Sequence, residues 1–503
     1  MRVGIYDRYW STLGGGERYA ATLAEALKGD GDVELIGIEP LDLSVLSHRL
    51  EVDLQGARYT RWPALSCDRL VPLTRPYDLF INATYGSSMR SEAGRSAYLV
   101  MFPHLLRSRV AAAAQRALRS IVRGLAPWQV RFVGGHYDPE PGGLCWTGPD
   151  AWLLISPGAF RDGTATIALR AEPIPSRILS VDGPIASWSA GADHLSLKVD
   201  SPPTRPVQIH IRAEPVVPKD IGVADDTRLL GVCVDLGRGR GRLALVGRNA
   251  GLTKSGRDFL EDYDTLLAIS EYTREWTRRR WGRESVLAPP PVETGGAGIP
   301  SPQAKRPILL SVGRFFAGSH HNKKHIEMLQ VFREMCDRGL VPKGWEYHLA
   351  GRVHRETPEH VAYFEEVQRL ARGYPVRILA DIPYDDLAAE YRAATIFWHA
   401  TGWGEDDRRF PERFEHFGIT TCEAMSAGCI PVVIDKAGQK EVVTDGVNGY
   451  TFLTARELID KTTSLMAGFG TDRTAELIRA AQRSAESYGK KGFIDRARRV
   501  LLR

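Results

Sequence analysis

Two glutamates, Glu415 and Glu423, stand eight positions apart within Pro411–Pro431, with Phe417-Gly418-Ile419 between them. Carboxylates at this spacing can accept hydrogen bonds from hydroxyls at the two ends of one ligand, and Gly418 lets the backbone come close to whatever lies in the middle. The residues that follow read as a short helix ended by Gly428. Its unpaired N-terminal N–H groups would attract a phosphate or a polarised hydroxyl. Hydroxyls at both ends with phosphate between them is the layout of a nucleotide-sugar. A plainer reading stands beside this one. Thr420 precedes Glu423 by three residues, so the two also fit a capping box in which Glu423 only closes its own helix.

A second cluster lies in "SVGRFFAGSHHNKK" (Ser311–Lys324), where Arg314 ends an apolar strand and Lys323 begins the next helix. An arginine fork and a lysine point charge at one strand's carboxyl end suit a diphosphate. Solvated surface is the alternative for either cation alone. His320, His321 and His325 are close by, but their spacing matches no standard zinc pattern. A third signal is "LGGGER", where Gly14 and Gly15 follow the first strand and open a helix, a turn able to hold phosphate. No GxGxxG with a trailing acidic residue is present, which argues against a dinucleotide enzyme.

These residues need rigid elements behind them, and 503 residues allow two to four domains. Strand and helix patterns alternate over 1–126 and 247–295, as in a Rossmann-like lobe with a parallel sheet. From 127 to 246 helical periodicity gives way to short alternating strands such as "LSLKVD", "VQIHIR" and "LGVCVD", which predict an inserted β-sandwich module. A Pro/Gly-rich linker follows, with a hinge near residue 295, and then a second α/β lobe over 303–472 and a helical tail over 473–503. The fold class is therefore α/β with two Rossmann-like lobes. Open parallel sheets bind ligands at the carboxyl ends of their strands, so the chemistry belongs in the cleft between the lobes.

The balance of 66 basic against 61 acidic residues gives +5, too small and too dispersed to suggest a nucleic-acid coat. Six scattered cysteines without a CxxC pair read as reduced thiols in a cytoplasmic protein. The opening "MRVGIYDRYW" lacks the apolar core of a signal peptide, and no run approaches a membrane span. Arg109, Arg116, Arg119 and Arg123 share one face of a predicted helix within Arg107–Leu125; a solvated basic face or a peripheral contact with the inner membrane surface would explain them. Trp128, Trp146, Trp152 and Trp188 of the module could stack on sugars or pack a core.

Taken together, "GGGER", "LAIS", "SVGRF" with Lys323, "EHFGITTCEAMSAGCIPVV" and "VNGYTF" resemble the family-4 retaining glycosyltransferases of the GT-B fold. The resemblance covers nearly the whole chain apart from the module, and the glutamate pair with Phe-Gly between is its most specific part. It implies Glu415 against the donor sugar, the backbone of Phe417, Gly418 and Ile419 around sugar and phosphate, and Glu423 on ribose. It also implies Arg314 and Lys323 on the diphosphate, with Gly14 and Gly15 approaching from the first lobe. Members need no metal and no other cofactor, since cations and the helix dipole replace it. The C-terminal helix usually crosses back to the first lobe. Many members carry a histidine near the sugar, and His104 in "VMFPHLL" is the nearest candidate here, with a structural loop histidine as the alternative.

The expected function is retaining transfer of a hexose, GDP-mannose being the first guess for its source, to an oligosaccharide, polysaccharide or lipid-linked acceptor in polysaccharide or glycoconjugate biosynthesis. A non-catalytic glycan-binding GT-B subunit and a sugar-nucleotide epimerase are the competing readings.

Overall fold

The computed structural model describes residues 1–63, 67–106, 130–137, 144–170, 177–191, 193–218, 230–235, 257–292, 301–318, 322–355 and 357–502. The helix expected over Arg107–Leu125, the hinge near residue 295, Trp128, His320 and His321 lie outside these residues.

Two parallel sheets form the α/β body. The first orders its strands Val286–Leu287, Thr265–Ala268, Arg95–Val100, Leu79–Asn82, Arg2–Tyr6, Asp32–Gly37 and Arg58–Arg61. Its inner strands are apolar on both faces because helices cover both; every residue of Leu79–Asn82 is buried. The second orders Val376–Ala380, Glu346–Gly351, Arg306–Val312, Ala394–His399, Ile430–Ile434 and Tyr450–Phe452. Each apolar run read from the sequence as a lobe strand is one. The short edge strands, Arg58–Arg61 with its polar sequence and Val286–Leu287 with only two residues, were not foreseen.

The inserted module is antiparallel. One sheet places Cys233–Asp235, Leu144–Ile155, Val207–Ala213 and Ile178–Asp182 in order, with Val130–His136 also paired to Leu144–Ile155; the other orders Ser187–Ala190, His194–Lys198 and Thr164–Ala168. Leu153, Ile155, Ile209 and Ile211 of the first meet Ile167, Leu195 and Leu197 of the second in one core. A bridge between Leu169 and Val234 joins the two sheets along one edge, so the expected sandwich is drawn into a nearly closed barrel. Trp146 is buried, Trp188 packs at the core margin and Trp152 is exposed.

The chain passes between the lobes twice, side by side. Val292 N donates to Tyr488 O (2.9 Å) and pairs with Gly489 in a parallel bridge. Of the two C-terminal helices, Asp472–Glu486 buries Leu477 and Ile478 in the second lobe, and only Lys490–Leu501 returns to the first. There Phe493 meets Tyr19 edge-on at 4.8 Å, Lys490 pairs with Glu25 (2.7 Å) and Arg498 with Asp30 (2.9 Å). Phe493 is 1% exposed. Phe493→Ala should therefore cost about 3–5 kcal/mol, seen as a lower denaturant midpoint; an unchanged midpoint would mean the tail does not brace the first lobe. Among the described residues no helix is long and apolar enough to cross a membrane.

Candidate active site

The strand Arg306–Val312 delivers Gly313 and Arg314 at its carboxyl end. A Cβ on Gly313 would lie 2.6 Å from Lys323 Cγ, so the glycine lets Lys323 lie down across the strand end. Lys323 precedes the helix His325–Asp337 rather than beginning it, because Lys324 takes a left-handed φ of 59° at the N-cap. Lys323 Nζ then donates to Glu415 Oε2 at 2.5 Å, and both side chains are more than four-fifths buried. Arg314 is exposed, with its guanidinium carbon 5.3 Å from the Phe316 ring centre, and makes no ion pair among the described residues. A free guanidinium beside a paired ammonium leaves the strand end able to accept an anion.

A residue that the sequence reading passed over completes this corner. His399 ends the next strand, Ala394–His399, and its Nε2 lies 3.2 Å from the same Glu415 oxygen. Burial pushes the His399 pKa below its ordinary value, and the Lys323 charge adds to this while Glu415 opposes it. The imidazole is thus neutral. His325, by contrast, is a packing residue: its ring stacks on Phe315 at 4.5 Å, and burial first, then Lys323, brings its pKa down to about 3. Among the described residues no three His, Cys, Asp or Glu side chains gather as a metal site.

The turn between the glutamates is shaped by Gly418, whose φ of 105° is strained for any other residue. Gly418 is also the N-cap of the helix Ile419–Ser426, so Thr420 lies inside the helix and the capping box does not form. Glu423 instead reaches outward. It accepts from Arg18 Nη1 (3.2 Å), across the cleft, and from the Tyr391 hydroxyl (3.2 Å). Phe417 turns its ring away, edge-on to Tyr488 at 5.2 Å, and offers the cleft only its backbone. From the first lobe, Gly14 caps the helix Gly15–Leu27 with its N–H on Glu17 Oε2 (2.6 Å), and a Cβ on Gly15 would lie 2.5 Å from Ile419 Cδ1. The glycine loop and the Gly418 turn therefore face each other at van der Waals distance.

Burial outweighs the pull of Arg18 and Tyr391 and raises the Glu423 pKa. A raised folded-state pKa means that the native protein holds this proton more tightly than the unfolded chain. Stability is then lost as pH rises from the unfolded value of 4.5 through the folded one, and stays lower at neutrality. Glu423→Gln should accordingly raise the melting temperature at pH 7, with the gain vanishing as pH falls to about 4. A gain that persisted or grew in acid would contradict the burial argument.

Elsewhere the lobes touch through side chains. Glu441 accepts from the backbone N–H of Glu271 (2.8 Å) and Tyr272 (2.6 Å) at the N-terminus of Glu271–Trp281. Arg280 donates to Glu412 (2.8 Å), and Phe102 stacks on His416 at 4.0 Å.

The structure brings Glu415, Lys323, Arg314, Gly418, Ile419, Glu423, Gly14 and Gly15 to this one cleft. His104 is the exception. Its ring lies against Phe259 (5.8 Å) and Trp281 (5.3 Å), its carbonyl accepts from Trp281 Nε1, and neither ring nitrogen finds a hydrogen-bond partner. Burial first, then Arg280, lower its pKa, and the half-buried ring packs among these aromatic side chains. Arg18, Tyr391 and His399 were missed as site residues. Arg18 sits inside "GGGER" and His399 at the end of "ATIFWHA", where a parallel sheet presents ligands' partners.

Residues 299–483, which carry both glutamates and both cations, match the family described as Glycosyl transferases group 1. That segment is a group 1 glycosyltransferase domain. Over 184 residues the chain is 26% identical to an alpha-1,3/1,6-mannosyltransferase, ALG2, of Rhizomucor pusillus, covering 32% of this chain and 37% of the relative. Over 175 residues it is 27% identical to the lipopolysaccharide core biosynthesis mannosyltransferase LpsB of Rhizobium meliloti, covering 34% and 46%. The chain thus matches less than half the length of either relative. Its fold superposes on Anabaena Alr3699/HepE, solved with UDP-glucose, with a TM-score of 0.53 over 100% of this chain and 99% of that one, at 11% identity.

Proposed function

We propose that the cleft binds a nucleotide-diphosphate sugar and transfers its hexose, with retention, to a glycan acceptor. The observation that carries this is the single corner in which Lys323 and His399 converge on Glu415 beside the Gly418 turn, with Glu423 at the far end of the same turn. In this reading Glu415 accepts sugar hydroxyls, and the N–H groups of Phe417, Gly418 and Ile419 meet sugar and phosphate. Arg314 and Lys323 take the diphosphate, Gly14 and Gly15 approach it from the first lobe, and Glu423 takes the ribose once Arg18 yields or shares it.

Breaking the bond at the anomeric carbon passes through an oxocarbenium-like state, and charge grows on the departing phosphate oxygen. Arg314, Lys323 and the helix N-terminus are fixed where that charge develops, so they stabilise the transition state more than the ground state. Contact between the lobes excludes water, which would otherwise hydrolyse the donor.

GDP-mannose is the first donor to try, because both relatives named above are mannosyltransferases. UDP-glucose is the second, because the HepE structure contains it. A thermal-shift screen of GDP-mannose, UDP-glucose, UDP-galactose and dTDP-rhamnose separates them. A ligand at 100 times its dissociation constant adds about 2.7 kcal/mol. A shift with one sugar nucleotide, followed by acceptor-dependent release of its nucleotide diphosphate, supports transfer. No shift with any would overturn the donor assignment, and interconversion of free sugar nucleotides without acceptor would favour an epimerase.

A further inference from the structure

Behind Glu415 lies a buried polar chain that the proposed donor contacts do not use. Gln439 is fully buried at the start of the short helix Gln439–Val442, and Thr421 is fully buried inside Ile419–Ser426. The Thr421 hydroxyl donates to Gln439 Oε1 at 2.8 Å. Gln439 Nε2 lies 3.2 Å from His399 Nδ1, and His399 Nε2 lies 3.2 Å from Glu415 Oε2.

The polarity of this chain follows from its first member. With a hydroxyl donating to Oε1, the Gln439 amide must present its NH2 to His399. The His399 Nδ1 must then accept, which puts the single ring proton on Nε2, on the side of the ring that faces Glu415. Lys323 donates to the same carboxylate oxygen at 2.5 Å. His399 Nε2 stands 3.2 Å from this oxygen without meeting it at a hydrogen-bond angle, so the imidazole flanks the carboxylate that Lys323 holds. The groups facing His399 are Glu415, Lys323, His325 and Gln439, and the neutral form is the one burial favours. The same Gln439 amide lies under the turn, since a Cβ on Gly418 would sit 2.6 Å from Nε2.

We infer that Gln439 is a positioning residue: held by Thr421, it fixes His399 in the Nε2–H tautomer, so that a ring N–H and not a lone pair faces Glu415, while bracing the Gly418 turn. The inference rests on the sugar-donor reading of this cleft for its catalytic consequence, but the tautomer does not. Gln439 and Thr421 are both fully buried and lie outside the proposed donor contacts. Together they link the end of one strand, the turn and the following helix into one rigid unit.

The test uses the full chain with 15N-labelled histidine and three variants. In the parent protein the His399 resonances, assigned by their loss in His399→Gln, should show a neutral ring protonated at Nε2. Gln439→Leu should lower kcat for transfer by about tenfold or more, as loss of an outer hydrogen-bond partner commonly does, while the dissociation constants for GDP and UDP change less than threefold. Gln439→Glu offers Nδ1 an acceptor in place of a donor. It should protonate His399 fully at pH 7 and add a limb to the pH profile of kcat that the parent lacks. A parent ring protonated at Nδ1, a fully active Gln439→Leu, or a His399 that stays neutral and Nε2-protonated in Gln439→Glu would each overturn the inference. Failure of the parent to bind GDP or UDP would instead count against the donor reading and leave the tautomer measurement to decide the rest.

Discussion

Glu415→Ala should fold and should transfer its sugar about 100- to 1,000-fold more slowly than the parent, a loss of about 3–4 kcal/mol of transition-state stabilisation. Two effects add. The carboxylate that would meet the sugar is gone, and the Lys323 ammonium loses the partner it holds at 2.5 Å. An unpaired ammonium that is 16% exposed is drawn toward any nearby phosphate, so nucleotide diphosphates should bind as well or better. The signature is therefore a kcat loss without a matching loss of nucleotide affinity, read by initial-rate kinetics beside calorimetry with GDP and UDP. Glu415→Gln, which keeps the shape and drops the charge, should recover only a small part. Rates within threefold of the parent in both variants would remove Glu415 from the chemistry.

Gly418→Ala should be the second severe change. At a φ of 105° an alanine is strained by about 1–3 kcal/mol, and its Cβ would lie 2.6 Å from the Gln439 amide. Gln439 is fully buried and tied to Thr421 and His399, so it cannot swing clear without breaking both contacts. The turn must move instead. A displacement of about 1 Å in a positioning element can cost 100-fold in rate, so turnover should fall by at least that much, with a lower melting temperature. Gly446→Ala is the control. Gly446 also has a left-handed φ, 72°, but nothing lies within 4 Å of its Cβ. It should lose stability and keep its turnover. Equal turnover in the two variants would mean that the Gly418 turn positions nothing.

Much of this was legible in the sequence for a definite reason. In parallel sheets covered on both faces, strands are nearly continuous apolar runs, so "PILLSVG", "EYHLAG" and "ATIFWHA" announce themselves. The site sits where such strands end, which is why Arg314 and the paired glutamates could be placed in one cleft. What escaped was whatever depends on side-chain direction. The phrase "TTCE" permits a capping box, and only the left-handed Gly418 moves the helix start two residues earlier and releases Glu423 toward Arg18. His104 and His399 both follow apolar strands, and the sequence offers no sign that one packs on Trp281 while the other reaches Glu415. Arg18 lay inside a quoted motif, yet its partner is 405 positions away in the other lobe. The module showed its alternation but not its closure, because the Leu169–Val234 bridge is a long-range pairing without a local signal.

One measurement bears most directly on the cleft as a donor site: a crystal structure of the chain with the sugar nucleotide, or its nucleotide diphosphate, that gives the largest thermal shift. The diphosphate should rest between the Arg314 and Lys323 side chains and the N–H groups that follow Phe417, with the ribose hydroxyls on Glu423 and Arg18 swung from its present contact. Density for the nucleotide anywhere else, or in this cleft with the ribose directed away from Glu423, would contradict it.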